Sequence, residues 1–233
     1  MSIKNEDFIL LDYSGKIKET GEVFDTTIEE IARSENIYKT GALYEPQLVV
    51  LGEGWILKAF EDGLLDSEVG KEEFVEIPPE KAFGNRDPEK VNLVSLRKLA
   101  SRGIQPQIGK RVEIDGKFAT VRTIGSGRVQ LDFNPPHAGK TLIYDYTIRK
   151  KIRSKRARIS ALIHRRMPLV DTKRFDFKTS KKEVNINVPI EAFYLEGLQL
   201  AKRGIVTDIQ KFYPKILTVS FMETFKKPEA DEG

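Results

Sequence analysis

The residues of this chain that could form a site are mostly aromatic and aliphatic, and they stand near the ends of short predicted elements. Among them is one acid, Asp25, which directly follows Phe24. The set comprises Tyr13, Phe24, Asp25, Val49, Ile56, Leu57, Phe60, Phe83 and Tyr144. Aromatic faces suit the binding of an apolar ring, although on composition alone such residues are more often core than site. A site built from them would need little polar chemistry.

The sequence lacks the residues and motifs of sites that depend on thiols, metals or phosphate-binding loops. The chain has no cysteine, which excludes disulfides, thiol nucleophiles and thiolate metal sites. Its two histidines, His137 and His164, stand in unrelated segments without clustered carboxylates, so we expect each to be a structural or surface residue. The motifs of serine hydrolases, P-loop proteins, zinc proteases and dinucleotide-binding folds do not occur. We therefore expect neither a metal nor a cofactor.

Length and composition predict several small soluble domains. The chain has 233 residues, of which 39% are hydrophobic and 32% charged, so it can bury real cores. It contains no apolar run close to the roughly 20 residues of a spanning helix. Its first residues show no apolar segment typical of a secretion signal. These features predict a cytoplasmic protein that does not contact membranes.

In the first part of the chain, apolar and polar residues alternate as they do in short strands. Phe8 to Tyr13 predicts a strand, Ser14-Gly15 a turn and Lys16 to Lys18 a second strand. A short helix is predicted within 27–34 and a strand at 48–51. A second helix is predicted from Ile56, Leu57, Phe60 and Leu64, which share a face and are followed by further strands at 73–77 and 142–148.

Between those last two strands lies a block with its own turns. A helix is predicted from Leu93 to Ala100, and hairpins are predicted at Asp115-Gly116 and around Gly125 to Gly127. Such a block is too organised for a loop. We therefore predict an inserted domain over residues 85–131.

A basic run separates the strand at 142–148 from the rest of the chain. Residues 149–158, RKKIRSKRAR, carry seven Lys or Arg in ten positions and are predicted to form a boundary or exposed linker. After the run, Val184, Ile186 and Val188 alternate as in a strand. A helix is predicted from Pro189 to Gly204, with strands at 205–212 and 216–221. We expect a C-terminal α+β domain over residues 153–233.

The order and spacing of several motifs resemble the FKBP family. The matching runs are LDYSGKIKETGEVFDTT, VVLGEGWILKAFEDGLLDSEVGKEEFVEIPPEKAFG and PPHAGKTLIYDYTI. The insertion falls where the family has its flap loop, which makes the chain similar to the long SlyD type. The resemblance implies an α+β fold: an FKBP half-barrel antiparallel sheet wrapped on a short helix (residues 1–84 and 132–152), a small β-rich inserted domain and the C-terminal domain.

The resemblance also implies which residues line the pocket. By position these are Tyr13, Phe24, Asp25, Ile56, Leu57, Phe60, Phe83 and Tyr144. Phe60 stands where the family commonly has tryptophan, Phe83 where it usually has tyrosine, and Gln47 where an aromatic is often found. These departures bear on macrolide inhibitor affinity more than on isomerase activity.

The implied function is peptidyl-prolyl cis/trans isomerisation in unfolded or nascent polypeptides, with an inserted domain that binds unfolded chains. One alternative is a holding chaperone with little isomerase activity. Another is a ribosome- or RNA-associated factor that uses the basic run, although charge runs are usually solvated faces. A homodimer through the C-terminal domain is a further hypothesis.

Overall fold

The structure is a computed structural model that describes residues 2–225. It contains twelve strands and five α-helices within those residues. The strands are β1 (Phe8–Ile17), β2 (Val23–Thr26), β3 (Gln47–Val50), β4 (Glu72–Ile77), β5 (Val91–Ser95), β6 (Arg111–Ile114), β7 (Lys117–Gly125), β8 (Arg128–Asp132), β9 (Leu142–Ile152), β10 (Asp176–Thr179), β11 (Glu183–Val188) and β12 (Thr218–Glu223). The helices are α1 (Glu29–Ser34), α2 (Lys58–Gly63), α3 (Leu96–Ala100), α4 (Lys155–Arg166) and α5 (Leu198–Phe212).

The first sheet is antiparallel and packs on the short helix α2. Its order is β2-β1-β9-β4, and β3 also pairs with β1. One face buries a core that includes Leu11, Leu64, Leu142 and Ile148, with Phe60 of α2 packed in its middle. This is the half-barrel on a helix that the resemblance implies, and the predicted α+β fold class is confirmed.

The insertion forms a four-stranded antiparallel sheet in the order β5-β8-β7-β6. Its small core consists of Val121, Val129 and Leu131 from the sheet together with Leu99 of α3. The helix predicted from Leu93 to Ala100 was wrong in its first half, because Val91 to Ser95 pairs with β8 instead. The helix starts only after Ser95, whose side chain accepts a hydrogen bond from the backbone N–H of Lys98.

The C-terminal segment combines helices α4 and α5 with the sheet β10-β11-β12, in which β11 and β12 are parallel. The predicted end of a helix at Gly204 and the predicted strand at 205–212 were wrong. Residues 198–212 form one continuous helix, and Ile205 and Ile209 are fully buried one turn apart. Gly204 lies where α5 approaches α4, since a Cβ there would be 2.9 Å from Nε of Arg166. Pro189 precedes only a single 3₁₀ turn, Ile190–Ala192.

The core of this segment also includes residues of the first sheet. Phe8, Leu48, Val50 and Ile152 are buried together with the α4, α5 and β11 residues. Along β1 the side chains alternate between the two cores, since Phe8 belongs to this core while Ile9 and Leu11 belong to the one beneath α2. The two cores therefore lie on opposite faces of one strand, and the domain boundaries given above stay a prediction.

One further prediction about local structure was wrong. Ser14-Gly15 is not a turn, because β1 runs unbroken through it, and Gly15 pairs with Asp25 on one side and Tyr144 on the other. The basic run, predicted to be a boundary or exposed linker, lies mostly in two regular elements. Its first four residues end β9, and α4 begins at Lys155 after the N-cap Ser154.

Candidate active site

An aromatic pocket forms where β1, β2 and β9 meet helix α2. We use this name for the cluster Tyr13, Phe24, Phe60 and Tyr144. The rings of Phe60 and Tyr144 stack with centroids 4.2 Å apart, and Tyr13 meets Phe60 edge-on at 5.5 Å. Phe24 meets Tyr144 edge-on at 5.9 Å. Such offset and edge-to-face contacts are the favourable geometries for aromatic rings, so the cluster is a rigid apolar wall.

The strand register explains why these side chains meet. On β9, Leu142, Tyr144, Tyr146 and Ile148 are all buried, so alternation places them on the α2 side of the sheet. Gly15 of β1 lies opposite Tyr144, and a Cβ there would come within 2.8 Å of both the Phe24 and Tyr144 rings. A glycine at this position therefore lets the two rings approach the strand.

Polar groups at the pocket are few and paired. The Tyr13 hydroxyl donates a hydrogen bond to Oδ2 of Asp25 at 3.0 Å, and Oε1 of Gln47 lies 3.3 Å from the same hydroxyl. The backbone N–H of Tyr13 donates to Oγ1 of Thr27 at 3.0 Å. Tyr13 and Phe60 are buried, whereas Asp25 is exposed at the rim. The pocket therefore has a fixed hydroxyl and one accessible carboxylate.

Both phenols of the pocket stay protonated in the ordinary pH range. Burial, followed by the negative charge of Asp25, raises the pKa of Tyr144 to about 12. Burial and then Asp25 also raise the pKa of Tyr13 well above its usual value. The pocket thus offers neutral hydroxyl donors and no ionised phenol.

The remaining predicted site residues lie around this cluster. Ile56 and Leu57 immediately precede α2 and pack against the same core. Phe83 is more than one-third exposed, and it reaches the cluster through His137, whose ring lies 5.6 Å from Phe83 and 4.6 Å from Phe24. Trp55 belongs to the other core, where its ring meets Phe212. The structure thus gathers the predicted residues around one pocket, while their roles in catalysis stay a prediction.

His137 was missed as a pocket residue. Burial lowers its pKa, so the imidazole that separates Phe24 from Phe83 favours its neutral form. A single histidine carries no spacing pattern, and only its place in the PPHAGK run connects it with the pocket. It adds a flat polar ring to the rim.

Three family models match the chain one after another, and the first two overlap at residues 92–107. The model described as FKBP-type peptidyl-prolyl cis-trans isomerase matches residues 1–107, the FKBP26 IF domain matches 92–137, and FKBP26_C-terminal matches 155–226. The matches follow the same order as the three sheets.

Several relatives of this chain are also named peptidyl-prolyl cis-trans isomerases. A short-type peptidyl-prolyl cis-trans isomerase of Methanocaldococcus jannaschii is 35% identical over 147 residues, which is 63% of this chain and 92% of the relative. The FKBP-type isomerase SlyD of Treponema pallidum is 28% identical over 71% of this chain and 87% of its own length. The FKBP-type 16 kDa isomerase of Escherichia coli K12 is 29% identical over 45% and 72%.

The first of these relatives is 35% identical to this chain, and the match covers 92% of its own length. Together with the family models, it establishes what the pocket geometry suggests. The chain belongs to the FKBP-type peptidyl-prolyl cis-trans isomerases.

Proposed function

We propose that this isomerase acts on X-Pro bonds in unfolded or nascent polypeptides, with the aromatic pocket as the place where the bond rotates and the inserted domain as the part that holds the chain. The observation that carries the proposal is the rigid aromatic pocket with one rim carboxylate, next to a separate sheet that exposes apolar side chains. The pocket residues proposed to contact the prolyl group are those predicted from the sequence.

Rotation about an X-Pro bond needs no bond-making chemistry. The barrier is about 18–20 kcal/mol because rotation destroys amide resonance. In the twisted state the amide loses part of its charge separation, so a dry apolar site favours it over the planar state. An acceleration on the order of 10⁴ to 10⁶ needs roughly 5–8 kcal/mol. Phe60 and Tyr144 supply the apolar floor, and their stacking keeps it in place.

Asp25 is proposed to orient the substrate amide at the rim. Its carboxylate is held by the Tyr13 hydroxyl and is otherwise open to solvent. A fixed negative charge there favours the substrate orientation that turns an amide N–H toward it.

The inserted domain is proposed to capture unfolded chains through its exposed apolar side chains. Leu93, Ile108 and Phe118 are each more than half exposed. Contiguous exposed apolar surface marks interaction sites, and these three side chains are proposed to contribute to such a surface. Unfolded polypeptides offer the complementary apolar segments.

Two further partners are part of the proposal. A homodimer through the C-terminal segment is favoured by exposed Leu200, Leu217 and Met222. Ribosome or RNA contact through the basic run has less support from the structure, because two of its cations are already paired: Arg149 with Asp12 at 2.6 Å and Lys151 with Asp7 at 2.5 Å.

A cytoplasmic location is part of the proposal. Across residues 2–225 none of the helices has the length and apolar character needed to cross a bilayer.

The proposal is tested with two substrates, an X-Pro tetrapeptide and an unfolded protein whose refolding is limited by proline isomerisation. We expect deletion of residues 85–131, closed by a short loop, to keep turnover of the tetrapeptide and to lose most of the acceleration of refolding. The triple variant Leu93→Ser, Ile108→Ser and Phe118→Ser is also expected to keep turnover of the tetrapeptide and to lose most of the acceleration of refolding. Equal losses on both substrates would contradict this division of labour, and Phe60→Ala is expected to slow both.

A further inference from the structure

A cavity opens beside the aromatic pocket and continues away from it. It has a volume of about 960 Å³ and shares Tyr13, Phe24 and Asp25 with the pocket. Its other walls are the loop between α1 and β3, residues 36–46, and the end of α4 with the residues that follow it. Cavities of roughly 300–1,000 Å³ hold drug-sized ligands, so this space holds more than one proline ring. We call it the groove.

The loop side of the groove presents aromatic and aliphatic groups. Tyr38 and Tyr44 stack with centroids 5.4 Å apart, and the guanidinium of Arg33 lies 3.8 Å above the Tyr38 ring. Leu43 lines the groove and is about half exposed. Pro168 and Leu169 line the opposite side, and Leu169 is 69% exposed. An apolar chain lying between these walls would cover side chains that now face water.

The loop and helix α4 are tied together across the groove. Nε2 of His164 lies 2.5 Å from Oε1 of Glu45. The bond links a loop of the isomerase sheet to the C-terminal segment, so the groove exists only where both parts are present. Its width is therefore set by a specific contact rather than by two independent surfaces.

A positioned cation also lines the groove. The guanidinium of Arg165 lies 3.8 Å above the Trp55 ring and 3.7 Å from Oδ2 of Asp208. Arg165 lines the groove and its side chain is 28% exposed, so a ligand in the groove can reach the guanidinium. A backbone carbonyl is a suitable acceptor for such a planar donor. The combination of apolar walls and a held donor matches an extended polypeptide.

We propose that the groove binds the polypeptide segment adjoining the prolyl bond, so that residues several positions from the proline are held by the end of α4. This rests on the proposed action on polypeptides. Continuity with the pocket identifies the occupant, because a chain whose proline lies against Tyr13 and Phe24 has the groove directly beside it. Segments with a large apolar residue on that side are the preferred substrates.

Three peptides test the proposal with the full chain. One is an X-Pro tetrapeptide, and the others carry four more residues, including one leucine, on the amino or the carboxyl side. KM and kcat are measured by NMR exchange spectroscopy. For at least one extended peptide we expect KM to fall roughly tenfold, because a leucine side chain leaves water. Leu169→Ser and Leu43→Ser are expected to remove most of that gain while turnover of the tetrapeptide is unchanged.

Ile190→Ser is the matched control, since Ile190 is a 56% exposed aliphatic residue of the same C-terminal segment that does not line the groove. The proposal is overturned when neither extension lowers KM, or when Ile190→Ser raises KM as much as Leu169→Ser does. That failure differs from a failure of the proposed function, which is measured by refolding with variants of the inserted domain. If neither extended peptide has a lower KM, while deletion of residues 85–131 still removes the acceleration of refolding, the groove proposal is contradicted and the proposed function is not.

Discussion

At the scale of single residues, the polar chemistry of the pocket is supplied mainly by the two hydroxyls of Tyr13 and Tyr144 and the carboxylate of Asp25. Tyr13 and Asp25 are bonded to each other, and both phenols of the pocket resist ionisation. A site of this kind has no group that must gain or lose a proton during turnover. Its selectivity has to come from shape and from the direction of the Asp25 carboxylate.

Asp25 is the residue whose loss should separate orientation from packing. We expect Asp25→Leu and Asp25→Ala to lower kcat/KM on the tetrapeptide by at least about tenfold, because a hydrogen bond to a charged group is worth about 1.5–3 kcal/mol. The midpoint of urea unfolding should stay within the range of other surface variants, since Asp25 is exposed. Asp145→Leu is the control, as Asp145 is an exposed acid of the same sheet that pairs with Lys16. An unchanged kcat/KM would remove Asp25 from the mechanism.

Most pocket residues could be predicted because each stands in a motif with fixed spacing. Tyr13 precedes a glycine by two positions, and Phe24 and Asp25 follow as a pair. His137 could not be predicted in this way, since its position depends on how the chain returns from the insertion to β9. The groove is also invisible in sequence, because Glu45 and His164 are 119 positions apart and meet only through tertiary packing.

At the scale of elements, β1 positions more of the molecule than any pattern in its sequence suggests. It pairs with β2, β3 and β9, and its two faces belong to two cores. Its glycine is a point of close packing rather than a turn. A change within β1 should therefore be felt in the pocket.

Gly15→Ala tests this role of the strand. The new methyl group would lie 2.8 Å from atoms of both Phe24 and Tyr144, and overpacking of this kind costs about 1–3 kcal/mol. We expect lower stability in urea and a lower kcat on the tetrapeptide, because the rings must move. Gly125→Ala is the control, since a Cβ there meets no atom within 4 Å. Full activity in Gly15→Ala would show that the rings can shift without loss.

Elements were predictable where alternation or helical spacing agreed with tertiary packing, as for β9 and α2. They were not where a glycine served packing rather than chain reversal. Gly204 resembles a helix end in the sequence, yet α5 continues through it. The missing side chain at Gly204 leaves room for Arg166, which forms a bidentate pair with Asp208 at 2.7 and 2.9 Å. Sequence patterns do not distinguish these two uses of glycine.

At the scale of the whole molecule, the two segments that connect the isomerase sheet with the inserted sheet are joined by one buried carboxylate. Asp132 is fully buried and lies 2.9 Å from both Arg86 and Arg122. Its other oxygen accepts hydrogen bonds from Asn134, whose amide also bonds the backbone of Asp87. Burial raises the pKa of Asp132, but hydrogen bonds from Asn134 and Arg122 and the charge of Arg86 outweigh it and hold that pKa below its usual value. The two connecting segments are thus tied to each other and to the inserted sheet.

Asp132→Asn should loosen this connection. We expect faster amide hydrogen exchange at residues 85–95 and 128–134 and a loss of about 1–3 kcal/mol in stability, because the two arginines lose a charged acceptor. Tetrapeptide turnover should be retained, and acceleration of refolding should fall. Asp115→Asn is the control, since Asp115 pairs with Arg102 at the surface and is 73% exposed. The same exchange pattern in both variants would contradict a special role for Asp132.

The sharing of β1 between two cores has a consequence for the order in which a ribosome releases this chain. The inserted sheet pairs only residues between 91 and 132, so it can close as soon as that stretch has emerged. Strand β1 emerges before the inserted sheet, but its longest pairing is with β9, and one of its faces packs in the core that includes residues of α4, α5 and β11. We therefore expect the inserted domain to be complete during synthesis before β1 has all of its partners.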